Sequence, residues 1–145
     1  MPIREVNIAE HFDATLPLMQ QNWRETGFDF EFAPSKEIYE AAQASGVLLA
    51  LGAFHEDELV GYATAVLSPH PFNPAVKMCL TDALFVSPLY RGGALPGRLM
   101  LTIERIAKER GAKYVMWHTR AGTRLADMLR KRGYIDADTV VMKEL

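Results

Sequence analysis

The chain has 145 residues, close to the commonest size for one domain, so a single core spanning 1–145 is expected. Its 49% apolar and 23% charged composition excludes a disordered chain, and a net charge of −2 excludes a general nucleic-acid or membrane-surface binder. One cysteine, Cys79, excludes an internal disulfide framework and any multi-cysteine metal site, and no apolar run approaches the roughly 20 residues that span a bilayer.

Met1-Pro2-Ile3-Arg4-Glu5 is not a basic-then-apolar leader, so a cytoplasmic location is expected. Ile3 to Asn7 alternates apolar and polar residues and predicts a short strand. Asn7 and Glu10 have capping-box spacing ahead of a helix through Ile8, Phe12, Leu16 and Met19, which Pro17 should bend or divide. Gly27 to Pro34 reads as a loop with three aromatics. Ser35 then caps a second helix through Ala44, closed by Gly46. Val47 to Phe54 is a continuous apolar run suited to a buried strand, and a polar turn at His55 to Glu58 leads into a hairpin partner, Leu59 to Leu67. Ser68 to Pro74 holds three prolines and is expected to be loop.

Met78 to Val86 predicts the next strand. Leu99, Ile103, Ile106 and Ala107 mark an amphipathic helix from about Pro96-Gly97 to Gly111. Tyr114 to His118 follows as a strand, Leu125 to Leu129 as a helix stopped by Gly133, and Thr139 to Met142 as a last strand. The order β-α-α-β-β-β-α-β-α-β gives an α/β fold with a mixed sheet, in which a helical crossover joins two neighbouring strands.

The chemistry lies in Thr81-Asp-Ala-Leu-Phe-Val-Ser-Pro-Leu-Tyr-Arg-Gly-Gly-Ala-Leu-Pro-Gly-Arg-Leu-Met100, a strand, a glycine-rich loop and a helix start. Such a loop aims backbone N–H groups and a positive helix end at one anion, and Arg91 and Arg98 add forked cationic donors. The pattern proposes a phosphate-bearing cofactor and leaves a nucleotide and coenzyme A both open. A P-loop fails for want of Gly-Lys-Ser/Thr, and a dinucleotide fingerprint fails on glycine spacing.

Leu84-Phe-Val-Ser-Pro-Leu-Tyr-Arg-Gly-Gly resembles motif A of the GNAT superfamily of N-acetyltransferases, a strand followed by V-x-P-x-x-R and Arg/Gln-x-x-Gly-x-Gly/Ala. Leu125-Ala-Asp-Met-Leu-Arg-Lys-Arg-Gly-Tyr134 is similar to the helix closing motif B, and the element order matches the family's. The local style is also similar to small bacteriophage-encoded GNAT-like proteins. The resemblance implies acetyl-CoA as cosubstrate, held in a V-shaped opening between the strands ending at Val86 and His118. Backbone groups of Leu84, Phe85 and Val86 would take the pantetheine and thioester, and Arg91, Gly92, Gly93, Ala94, Gly97 and Arg98 would wrap the pyrophosphate. The implied activity is acetyl transfer to a primary amine of a small molecule, peptide or protein, by direct attack in a ternary complex. A homodimer is compatible with it; nucleic acid, membrane and metal are not part of it.

Two positions depart from the family. Its two loop glycines fall on Ala94 and Pro96, and Pro96 has no N–H to give a phosphate. Its usual general-acid tyrosine falls on Leu129. A catalytically weak CoA-binding or virion-associated relative is the alternative those departures suggest. For the proton of the amine, Asp82 is the first candidate, since period two puts it on one strand face with Leu84 and Val86, beside an apolar run expected to strengthen it as a base. His118 is the second, because histidine's ordinary pKa of about 6.5 suits proton transfer at neutral pH. Trp23, Phe28, Phe30 and Phe32 fall where the family shapes its acceptor pocket.

Overall fold

The computed structural model of the protein describes residues 1–145. In chain order the elements are β1 (Ile3–Glu5), α1 (Phe12–Thr26), α2 (Lys36–Ala44), β2 (Leu48–His55), β3 (Glu58–His70), β4 (Asn73–Val86), a 3-10 turn (Pro88–Tyr90), α3 (Leu95–Glu109), β5 (Ala112–Met116) and α4 (Arg124–Lys131). The strands make one sheet in the order β1-β2-β3-β4-β5. Neighbours are antiparallel except β4 and β5, which α3 joins as a parallel pair. No helix is long and apolar enough to cross a membrane.

Both faces of the sheet are covered, which is why β2 reads as an unbroken apolar run. On one face Leu49, Leu51, Val60, Ala63 and Ala65 pack with Leu99, Ile103 and Ala107 of α3. On the other, Ala50, Phe54, Leu59, Tyr62 and Phe85 pack with Ile8, Leu18 and Met19, with Tyr39 of α2 partly buried against them. Ser35 caps α2 as expected, its Oγ accepting from Ile38 N at 3.3 Å. Gly46 then leaves that helix at φ +77°, a conformation side chains avoid.

Several boundaries differ from the sequence reading. Asn7 caps only a turn, accepting from Glu10 N at 3.1 Å, and the helix proper starts at Phe12. Pro17 does not divide α1, which is continuous from Phe12 to Thr26. Its missing N–H leaves Asp13 O without a ladder partner, a loss of one bond near the helix start. The proline-rich stretch 68–74 is mostly strand: β3 runs to His70, β4 starts at Asn73, and only Pro71 and Phe72 turn the hairpin. The last bond on this edge of β3 is Leu67 N to Val47 O at 2.8 Å, so beyond it the hairpin has a free edge where a proline interrupts nothing. The expected strand at Thr139 to Met142 does not form. Residues past α4 carry no regular structure, and Val140, Val141 and Met142 are exposed.

Candidate active site

Strands β4 and β5 are paired only from Lys77–Ala112 to Leu80–Met116. Beyond that point they part. The cause lies on the other side of β4, where Ala65 pairs with Thr81 but Thr64 with Ala83, so Asp82 is an extra residue. Such a β-bulge bends its strand and ends regular pairing. Thr81, only 6% exposed, fastens the point of the fork. Its Oγ1 donates to Met116 O at 2.9 Å and accepts from His118 N at 3.0 Å. The His118 ring is held by the same residue, with Nδ1 2.7 Å from Thr81 O. β5 therefore ends at Met116, and Trp117 and His118, expected within the strand, form the lip of the opening.

The bulge also changes where Asp82 points. Leu84 and Val86 pack on the α3 face, whereas Asp82 accepts from Thr64 Oγ1 at 3.1 Å on the α1/α2 face. The expected common face is thus broken by the extra residue. Asp82 is also exposed, so the apolar run beside it does not enclose its carboxylate. Two phenols share its face. Tyr62 is 4% exposed and accepts from Asn22 Nδ2 at 3.1 Å; burial pushes its pKa up to about 12. Tyr39 is raised by its own burial and then by the Asp82 charge. Both remain protonated donors at neutral pH.

Along the open edge of β4 the peptide groups alternate. Ser87 N donates to Val60 O at 2.8 Å, which aligns Ser87 and Phe85 towards β3 and leaves the groups of Leu84 and Val86 facing the opening. Phe85, which the family resemblance grouped with them for the pantetheine and thioester, has its backbone groups turned to β3 by that alternation. Gly61 makes the close fit possible, since a Cβ there would lie 3.1 Å from Phe85 O.

In the loop that follows, the N–H groups of Gly92, Gly93, Ala94 and Gly97 have no backbone acceptor, and the space beside all three glycines is open. This fits an anion at the start of α3, with Pro96 in the first turn removing one donor. The two arginines already have protein partners. Arg91 bonds Glu25 Oε1 at 2.7 Å and Val86 O at 2.6 Å, and Arg98 bonds Met1 O at 2.8 Å. Each guanidinium has five N–H donors, so further donors stay free.

Leu129 is 7% exposed and offers no proton. Tyr134 of the same segment donates to Glu104, which also accepts from Trp117 Nε1 at 2.9 Å, and its pKa is pushed up to about 12 by burial and that carboxylate. Burial pushes the Cys79 thiol up to about 11, which leaves it a poor nucleophile. Arg130 is occupied by Asp127 and Asp136. Trp23 stacks near Phe32 at 5.8 Å, and Phe28 and Phe30 pair with each other in the loop after α1. Two grooves of about 430 and 460 Å³ flank β5 and α1, and neither includes Asp82 or His118. Thr64, Thr81, Tyr39, Tyr62 and Glu25 were not picked out by sequence. The alternation of β3 would have paired Thr64 with Tyr62, but only the bulge brings Asp82 to them.

The model of the acetyltransferase (GNAT) family matches residues 14–134. Among curated proteins none matches the sequence. Similar solved structures include a ribosomal-protein-alanine N-acetyltransferase from Brucella melitensis biovar Abortus 2308, with 17% identity, TM-score 0.75 and coverage of 100% of this chain and 99% of that one. The aminoglycoside N-acetyltransferase AAC(6')-Iy in complex with CoA has 15% identity, TM-score 0.75 and coverage of 99% and 98%. An aminoglycoside acetyltransferase from an uncultured soil metagenomic sample, in complex with sisomicin, has 16% identity, TM-score 0.77 and coverage of 99% and 94%.

Proposed function

The chain belongs to the GNAT acetyltransferase family, an N-acetyltransferase family that uses acetyl-CoA, and from that premise we propose direct acetyl transfer to a primary amine in a ternary complex. The observation that carries this reading is the fork beyond Leu80 and Met116, lined on β4 by outward peptide groups of Leu84 and Val86. When bound, acetyl-CoA supplies a reactive thioester. The N–H groups of Leu84 and Val86 offer preorganised donors to an oxygen that gains charge, a contribution typically worth about 3–4 kcal/mol per donor. The N–H groups of residues 92–94 and 97, with Arg91 and Arg98, would hold the pyrophosphate.

On the α1/α2 side the amine arrives protonated, since an alkylamine has a pKa of about 10.4. Asp82, exposed and anchored by Thr64, and His118, with its free Nε2 at the lip, are the groups that take this proton. With no acid at Leu129 and an unreactive Cys79, the chain contributes positioning, charge stabilisation and removal of one proton. The reading extends to one domain over residues 1–145 and to a small-molecule, peptide or protein amine as acceptor.

Calorimetry with acetyl-CoA, CoA and ATP, followed by an amine and peptide panel, tests it. Binding of both CoA species but not ATP, with thiol release on at least one amine, is the expected result. Binding of ATP in preference to CoA overturns it.

A further inference from the structure

Thr81 lies before the Leu84 to Gly93 stretch that carries the motif resemblance, yet three hydrogen bonds converge on it at the fork. Its carbonyl lies 2.7 Å from His118 Nδ1, its Oγ1 accepts from His118 N at 3.0 Å, and the same hydroxyl donates to Met116 O at 2.9 Å. A carbonyl oxygen only accepts, so Nδ1 must carry a hydrogen, and the neutral ring then keeps its lone pair on Nε2. The hydroxyl fixes the main chain on either side of the ring. The next residue is Asp82, placed on the other face by the bulge, so one buried threonine stands between both groups that accept protons here.

We infer that Thr81 is a positioning residue, which holds His118 in the Nδ1–H tautomer so that Nε2 is the nitrogen that receives the proton of the acceptor amine. The inference rests on the acetyltransferase reading and deepens it. The proton leaves the ammonium nitrogen for Nε2, giving a neutral amine and an imidazolium. Both imidazolium nitrogens then carry hydrogen, Nδ1 still bonded to Thr81 O, and Nε2 returns its proton to water. Nothing else is consumed. An orienting partner on the second ring nitrogen is how histidines are commonly set for one-directional proton transfer.

The test begins with the free protein, by long-range ¹H–¹⁵N correlation of the His118 imidazole in wild type, Thr81→Ser and Thr81→Val. Wild type and Thr81→Ser are expected to show hydrogen on Nδ1 alone in the neutral ring. Thr81→Val, with no hydroxyl to hold the chain, should show both tautomers. With an amine that turns over, Thr81→Val should lower kcat about tenfold, the scale of one net hydrogen bond, with KM for acetyl-CoA unchanged and Thr81→Ser near wild type. Hydrogen on Nε2 in the wild-type ring overturns the inference, as does a fall in kcat in Thr81→Val with an unchanged tautomer. Should Thr81→Val not fold, Thr81→Ala takes its place, and the wild-type spectrum still decides. Failure of the underlying reading shows separately, as a wild-type protein that does not bind acetyl-CoA.

Discussion

Arg91 and Glu25, 66 residues apart in the chain, form an ion pair with 2.7 Å between Nη2 and Oε1. The pair ties the last turn of α1 to the glycine-rich loop, while Arg91 Nε holds the carbonyl that ends β4. Both side chains are about 40% exposed, so by itself the pair is worth at most about 1 kcal/mol. Arg91→Ala is expected to weaken acetyl-CoA by about 1.5–3 kcal/mol, the range for hydrogen bonds to charged groups. Glu25→Gln should leave the melting temperature nearly unchanged and tighten acetyl-CoA by less than about 1 kcal/mol, because a competing carboxylate is gone. Calorimetry on both variants checks this. An unchanged affinity in Arg91→Ala would assign that residue to its two protein partners alone.

Asp82→Asn keeps the acceptor for Thr64 Oγ1 but not the ability to take a proton. Turnover of a suitable amine should fall at least tenfold, about 1.4 kcal/mol of barrier, with acetyl-CoA affinity intact. Raising the pH should restore part of the loss, since more of the amine is then already neutral. Steady-state rates across pH for the wild type and the variant decide it. Equal rates at every pH would leave the proton to His118 or to water.

The order of the elements as far as α4 was legible, though not every boundary, because it rests on local signals: Ser35 before α2, Gly46 and Gly111 after helices, and apolar spacing in α3. The polar turn after β2 also reads directly, with Glu56 and Asp57 at positive φ as a tight hairpin turn requires. Other features were not. Alternation alone gave Asp82 the wrong face, because a bulge depends on how β4 pairs with β3, which no window of β4 reveals. Likewise, the motif's basic residues suggested free phosphate ligands. Their partners, Glu25 and Met1 O, come from segments far away in sequence. The strand expected at Thr139 to Met142 does not form, although β5 leaves an open sheet edge: branched residues favour extension, but local pattern does not decide whether a segment pairs.

Alkaline pH should destabilise the fold in a defined window. Burial raises Cys79 from 9.0 to about 11, and Tyr62 from 10.0 to about 12. The unfolded chain loses these protons first, so above pH 9 it binds fewer than the native state, and stability falls as pH rises. The loss begins near pH 9 through Cys79, continues through Tyr62, and is complete only above about pH 12. Denaturant melts across this range test the slope. Cys79→Ala should flatten its lower part and Tyr62→Phe its upper part, although each starts from a less stable protein. A flat profile in the wild type would contradict the burial of both groups.

Leu129 stands where the family resemblance puts a general-acid tyrosine. Its side chain is buried at 7% exposure, and its carbonyl takes Arg132 N at 3.0 Å and Tyr134 N at 3.1 Å to close α4. Leu129→Tyr leaves those backbone bonds in place but adds a ring and a hydroxyl to a filled position. Overpacking of this kind costs about 1–3 kcal/mol, so the melting temperature should drop. A phenol there would also stand where the family's tyrosine commonly protonates the departing thiolate, replacing solvent as the proton source. Turnover per folded molecule is therefore expected to rise, with acetyl-CoA affinity unchanged. The measurement is thiol release normalised to the folded fraction from the same melt. A rate equal to that of the wild type would show that proton delivery to sulfur does not limit this enzyme, and would move the slow step to the amine side, where Asp82 and His118 stand.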